Sequence, residues 1–96
     1  MAERKIIEAG STPSFPRHVK FHFNKQREQW VILAPERLLV PDETSVEILR
    51  MLDGKITVSG IVGKLVEKYN APHDVILADV KRMLQDLADK GFLVTT

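Results

Sequence analysis

The sequence predicts an α+β fold in which a three-stranded antiparallel sheet is followed by a three-helix bundle, an order of elements that is winged-helix-like. Two patterns and their punctuation lead there. Residues 17–40 alternate and turn as strands do, and residues 42–90 repeat apolar side chains at helical spacing, with prolines and glycines standing at the junctions. Such a sheet has one apolar face, which must be covered by the apolar stripes of the helices.

A chain of 96 residues has room for one domain and no large active-site cavity. Its 44% hydrophobic and 28% charged content is that of a soluble globule. The absence of cysteine removes disulfides, thiolate zinc sites, cysteine nucleophiles and thiolate-held iron–sulfur clusters from consideration. Fourteen basic and thirteen acidic residues leave a net charge of +1, so no global field draws the chain to nucleic acid or to an anionic membrane. The first eight residues lack the apolar stretch of a signal peptide, and no apolar run approaches the roughly 20 residues that span a bilayer. The expected location is the cytoplasm.

Residues 1–16 end in Gly10-Ser11-Thr12-Pro13-Ser14-Phe15-Pro16 and read as a flexible N-terminal arm before a domain spanning 17–96. From Arg17 to Asn24, Val19, Phe21 and Phe23 fall on one face and His18, Lys20, His22 and Asn24 on the other, a half-buried first strand. Trp30-Val31-Ile32-Leu33 is β-branched and aromatic, suited to a central strand. Pro35-Glu36 turns the chain into a third strand, Arg37-Leu38-Leu39-Val40, which completes a meander.

Pro41 closes the sheet. Asp42 or Thr44 can cap a first helix, with Thr44 and Glu47 at the spacing of a capping box; Val46, Ile48, Leu49 and Leu52 face inward, and Asp53-Gly54 supplies the stop. A second helix from Thr57 carries Val58, Ile61, Val62, Leu65, Val66 and Tyr69 at the strongest helical periodicity in the chain, broken by Asn70-Ala71-Pro72. The third begins between Pro72 and Val75, with Asp74 a candidate cap, and buries Ile76, Leu77, Val80, Met83, Leu84 and Leu87 before Gly91. Phe92-Leu93-Val94 then packs back as a short extended tail.

Several chemical readings fail on spacing. His18 and His22 share a strand face but lie roughly 13 Å apart at ~3.3 Å per residue, too far for one ion, and His73 belongs to a helix start, so no metal is expected. Gly60-Ile61-Val62-Gly63-Lys64 lacks the first glycine and the serine or threonine of a phosphate loop; its glycines read as allowing close helix packing. Asp42, Glu43, Glu47 and Asp53 have no nucleophile or histidine at a recognisable spacing. The chain therefore reads as non-enzymatic, with no cofactor. The competing reading is a winged-helix transcriptional regulator. Its recognition helix should be basic, whereas residues 74–90 set Asp74, Asp79, Asp86 and Asp89 against Lys81, Arg82 and Lys90.

The run Trp30 to Glu36, then Val46-Glu47-Ile48-Leu49 leading to Asp53-Gly54, then Asp79-Val80 and the closing Leu87 to Gly91-Phe92-Leu93, resembles the PqqD family of pyrroloquinoline quinone biosynthesis. The likeness covers residues 17–96 in order and departs from the family pattern at Val40-Pro41-Asp42, where an asparagine is expected. The resemblance implies a peptide chaperone similar to the recognition domains that bind leader peptides of ribosomally made natural products. Its implied partners are the precursor peptide PqqA and the radical S-adenosylmethionine enzyme PqqE, which cross-links a glutamate to a tyrosine in that peptide.

In a meander the free edges belong to the first and third strands, and a free edge accepts an extended peptide. Arg17, His18 and Lys20 guard the first. The third, Arg37, Leu38, Leu39 and Val40, is the expected receptor, with Leu77, Val80, Lys81 and Leu84 of the third helix as the groove beside it. Among these, Val80 and Leu84 also read as core, and Arg37 and Lys81 as contacts for acidic peptide side chains. The expected solution state is a monomer, with a minor dimer formed by exchange of the N-terminal hairpin.

Overall fold

The computed structural model of the chain describes residues 6–95. The elements are β1 (Pro13–Ser14), β2 (Lys20–Asn24), β3 (Gln29–Ala34), β4 (Arg37–Leu39), α1 (Glu43–Leu49), α2 (Val58–Tyr69), α3 (His73–Asp89) and β5 (Val94–Thr95). The expected meander is present, with strand order β2-β3-β4 and both pairs antiparallel. Its first loop is shaped by Asn24, whose Oδ1 accepts the backbone N–H groups of Gln26 and Arg27. Its second is the two-residue turn Pro35-Glu36, where proline pre-sets one residue and Glu36 takes a φ of +61°.

The helix ends follow local causes, and at three of them the structure differs from expectation. Asp42 caps α1 by accepting the Ser45 N–H at 2.7 Å, but the Thr44–Glu47 box does not form, because Thr44 lies inside the helix and Glu47 turns to α2. There Lys68 and Tyr69 both donate to its carboxylate. α1 stops at Leu49, before Asp53-Gly54; instead Asp53 Oδ1 accepts the N–H groups of Lys55 and Ile56, both at 2.8 Å, and Gly54 at φ +81° turns the connector into α2. Leu52 consequently packs on the core from the connector and not from the helix.

Thr57 caps α2 through the Gly60 N–H. Neither glycine of this helix spaces two helices as expected. A Cβ on Gly63 would meet nothing within 4 Å, and one on Gly60 would meet the side chain of its own neighbour Ile56 at 3.0 Å. α3 starts directly after Pro72 with no side-chain cap, and Asp74 sits in its first turn, where the helix dipole favours a carboxylate. At the other end Gly91, at φ +87°, donates to Ala88 O while Phe92 donates to Leu87 O, the paired bonds that close a helix on a left-handed residue.

The core is almost wholly aliphatic: Ile32 from the sheet, Ile48 and Leu49 from α1, Val58, Ile61 and Val62 from α2, and Val80 and Leu84 from α3. It also contains a residue of the segment expected to be a flexible arm. Residues 1–5 of that arm lie outside the described residues, but from Ile7 onward the expectation is corrected. Ile7 is 1% exposed, and its N–H donates to the Gln85 side chain at 2.7 Å. The carbonyls of Ala9 and Ser11 accept the N–H groups of Ser59 and Val58, which begin α2 and have no acceptor within their own helix. Pro13 and Ser14 then pair with Thr95 and Val94, tying the two ends of the described chain together.

Candidate functional site

The meander leaves β2 and β4 as edges, and its register decides which backbone groups they offer. Across the Pro35-Glu36 turn Ala34 faces Arg37, a pair that a two-residue turn closes with hydrogen bonds. Hydrogen-bonded and non-bonded pairs then alternate. Arg37 and Leu39 therefore spend their N–H and C=O groups on β3, while Leu38 points its backbone donor and acceptor outward, and Val40 continues that row. Counting the same way from the Lys20↔Leu33 pair, the outward groups of β2 belong to Phe21 and Phe23.

Side chains on β4 divide by the same alternation. Leu38 and Val40 are exposed, at 60% and 47%, whereas Leu39 packs against the core. Arg37 reaches the far end of α3, where its Nη1 donates to Lys90 O at 2.5 Å and its guanidinium lies 4.5 Å from the Phe92 ring centroid. It joins the strand to the helix end by satisfying a carbonyl that α3 leaves open. The expected role as a free contact for a peptide carboxylate is corrected to this extent: one donor and one face of the group are already used.

Beside the end of β4 lies a groove of about 220 Å³. Leu39, Met83 and Leu87 give it apolar walls, and Asp42, Asp86 and Lys90 give it a charged rim. Lys90 Nζ and Asp86 Oδ2 pair at 3.0 Å, and the Ser45 N–H holds the Asp42 carboxyl below its ordinary range. The helical side of this groove is not the one expected from sequence. Val80 and Leu84 are 1% and 0% exposed and belong to the core. Leu77 and Lys81 do not line the groove. At about 100° per residue, Met83 lies roughly 120° around the helix from Leu77, so the β4-facing flank is the one carrying Met83, Asp86, Leu87 and Lys90.

Further cavities flank the helices. One of about 340 Å³, between α1 and the facing ends of α2 and α3, is bordered by Tyr69, Val75 and Ile76; it is the larger but meets no sheet edge. The other, about 270 Å³, is lined by Phe15, Phe21, Trp30, Leu49, Arg50 and Leu52. Sequence reasoning missed this aromatic group because Phe15 belongs to a segment read as an arm. Beside the first cavity, Glu47 is held below its ordinary range first by Lys68 and then by Tyr69, and the same bonds raise Lys68 and Tyr69. Among the described residues no three His, Cys, Asp or Glu side chains gather as metal ligands. None of the described helices is long and apolar enough to cross a membrane.

A small sheet with an open edge, β4, beside an apolar groove has the parts of a peptide-recognition module. The family model of coenzyme PQQ synthesis protein D (PqqD) matches residues 29–93, and the chain belongs to this family. It is 53% identical over 94 residues to a PqqA binding protein of Rhodopseudomonas palustris (strain BisB5), an alignment covering 97% of this chain and 92% of that relative. The solution NMR structure of the PqqD truncation of Methylobacterium extorquens PqqCD, described as a functional and stand-alone RiPP recognition element, matches with a TM-score of 0.71 at 40% identity, over 85% of this chain and 87% of that one. The crystal structure of PqqD from Xanthomonas campestris matches with a TM-score of 0.55 at 27% identity, over 81% and 87%. The fold expected from sequence, three strands followed by three helices, is the fold of this family.

Proposed function

We propose that this chain is a non-catalytic peptide chaperone of pyrroloquinoline quinone biosynthesis, which binds the precursor peptide PqqA by strand addition at β4 and presents it to the radical S-adenosylmethionine enzyme PqqE. The observation that carries the reading is the coincidence, on one edge, of outward backbone groups at Leu38 and Val40 with the groove walled by Leu39, Met83 and Leu87. Kinship with a PqqA binding protein supplies the identity of the peptide.

In this mechanism an extended peptide pairs its backbone with Leu38 and Val40. Alternate peptide side chains then point toward the groove and away from it. Arg37, anchored on Lys90 O and Phe92, keeps β4 at a set distance from α3 and so holds the groove open. Val80 and Leu84 act indirectly, as the packed support of that helix. The chain has no cysteine with which to hold the enzyme's cluster, so its contribution is delivery. It works in the cytoplasm, mainly as a monomer.

The test is a residue-resolved titration with PqqA, with duplex DNA as the comparison. Perturbations should concentrate at residues 37–40 and 83–90, with no saturable response to DNA. Perturbations confined to residues 20–24 would overturn the site, and tight binding to duplex DNA with none to PqqA would overturn the function.

A further inference from the structure

We infer that the β2–β3 hairpin is a second docking surface, which takes an acidic, partly apolar face of the enzyme that receives the peptide. The inference rests on the delivery reading above, since a carrier that hands over its cargo must hold cargo and recipient together. Two features of the hairpin support it independently of that reading.

The first is charge. Arg17, Lys20, Lys25 and Arg27, with His18 and His22, are all exposed and are accompanied in this stretch by Glu28 alone. Among the described residues, Lys68, Arg82 and Lys90 on the helices have a carboxylate partner and Lys64 and Lys81 do not, whereas none of the hairpin cations has one. A chain with a net charge of only +1 thus concentrates unneutralised positive charge at one end.

The second is aromatic surface. Phe15 stacks on Phe21 at 5.4 Å, Phe21 on Trp30 at 4.8 Å, and Phe23 meets Trp30 edge-on at 5.7 Å. These side chains are not in the aliphatic core: Phe23 is 42% exposed and the other three are half-buried. Arg50 lies 5.2 Å from the Trp30 centroid, also without a carboxylate partner among the described residues, at the wall of the cavity of about 270 Å³. Tryptophan, phenylalanine and arginine around a cavity are the composition of an interface centre. Lys20 and His22 alternate to the sheet face opposite Phe21 and Phe23, so the unpaired cations select an acidic partner that reaches over the β2 edge from the aromatic face.

Position makes the two surfaces compatible. β2 and β4 are opposite edges with β3 between them, about 10 Å apart at ~4.8 Å per strand, and they face away from each other. Peptide on β4 leaves the hairpin uncovered.

The test uses the full chain, PqqE and PqqA, with the variant Lys20→Glu/Arg27→Glu and, separately, Arg50→Glu. Lys20 and Arg27 are exposed, so the double variant should melt like the wild type; Arg50 caps α1 and lies over Trp30, so Arg50→Glu is read beside its own melting curve. Wild-type affinity for PqqE should fall as salt is raised. The double variant should bind PqqE about tenfold more weakly and with a flatter salt dependence, while its affinity for PqqA is unchanged. Arg50→Glu should weaken PqqE binding in the same direction. Unaltered PqqE affinity in both variants would overturn the inference. So would stronger binding of a single-stranded oligonucleotide than of PqqE through these same residues. Loss of PqqA binding with PqqE binding intact would also overturn it, and would move the peptide from β4 to the hairpin. Leu38→Pro at β4 separates the two readings: a variant that loses PqqA yet still binds PqqE supports the second surface whatever becomes of the first.

Discussion

Replacing Leu38 by proline tests strand addition at the level of one N–H group. The register gives Leu38 an outward donor, so proline there removes no β3–β4 hydrogen bond, and the side chain it replaces is 60% exposed and contributes little packing. The residue before a proline is driven to extended backbone, which Arg37 already has as a strand residue. Folding should therefore survive. The bound peptide loses one backbone hydrogen bond, worth about 1 kcal/mol, which is a fivefold weakening, and the ring placed where the donor stood should raise this to tenfold or more. Leu39→Pro is the contrasting change. Its N–H is directed at Ile32 and its side chain packs on the core, so it should cost about 3 kcal/mol of stability before any peptide is added. Calorimetric titration with PqqA, beside thermal melting of both variants, reads the difference. A Leu38→Pro protein that melts like the wild type and binds PqqA with undiminished affinity would refute the register argument and, with it, strand addition at this edge.

Gly91→Ala should destabilise by about 1–2 kcal/mol, because φ is +87° and the new methyl would lie 3.3 Å from Arg37 Nη2; Gly54→Ala, at φ +81° with nothing within 4 Å, should cost less, and denaturant unfolding ranks them. Ile7→Ala should cost about 2–4 kcal/mol by the same measurement if the N-terminal segment is part of the core, and nothing measurable if it is a loose arm. Asp42 and Asp53 are held below their ordinary 3.8, and Glu47 below 4.5, by hydrogen bonds made only in the fold. Their stabilisation is complete above those values and is lost as pH falls through the lower folded-state values, so melting should be level near neutrality and drop in acid; Asp42→Asn should make that drop shallower, as scanning calorimetry over pH would register.

Local patterns carried most of the fold. The Pro35 turn and the glycine stop of α3 act within a few residues and stand where the sequence puts them, whereas the alternation and the α2 stripe hold except at their ends: β2 begins at Lys20 and not at Arg17, and Phe23 and Tyr69, expected on buried faces, are exposed. What escaped depends on distant partners. Glu47 could have closed a capping box, but Lys68 and Tyr69, a helix away, compete for its carboxylate. Ile7 has no periodic neighbours to mark it, and only α2 and α3 give it somewhere to go.

The candidate site was legible as an edge and not as a surface. The strand Arg37–Leu39 and its freedom follow from the order of elements, but which residues point their donors outward depends on the turn closing the Ala34–Arg37 pair. On α3 the apolar positions Ile76, Leu77, Val80, Met83, Leu84 and Leu87 cover too much of the circumference to say which flank meets β4. Hydrophobicity marks the stripe, while its rotation is set by packing on α2.

The bonds from Val58 and Ser59 to Ser11 and Ala9 have a spectroscopic consequence. Amides at the start of a helix ordinarily exchange with solvent within the fastest class, since no carbonyl of the helix protects them. Here two such protons, in the middle of the chain, are covered by a segment near its N-terminus, so they exchange only when that segment lifts. Their exchange rates, compared with those of Val62 and Leu65 deeper in the same helix, separate release of the N-terminal segment from unfolding of the domain, with no mutation required.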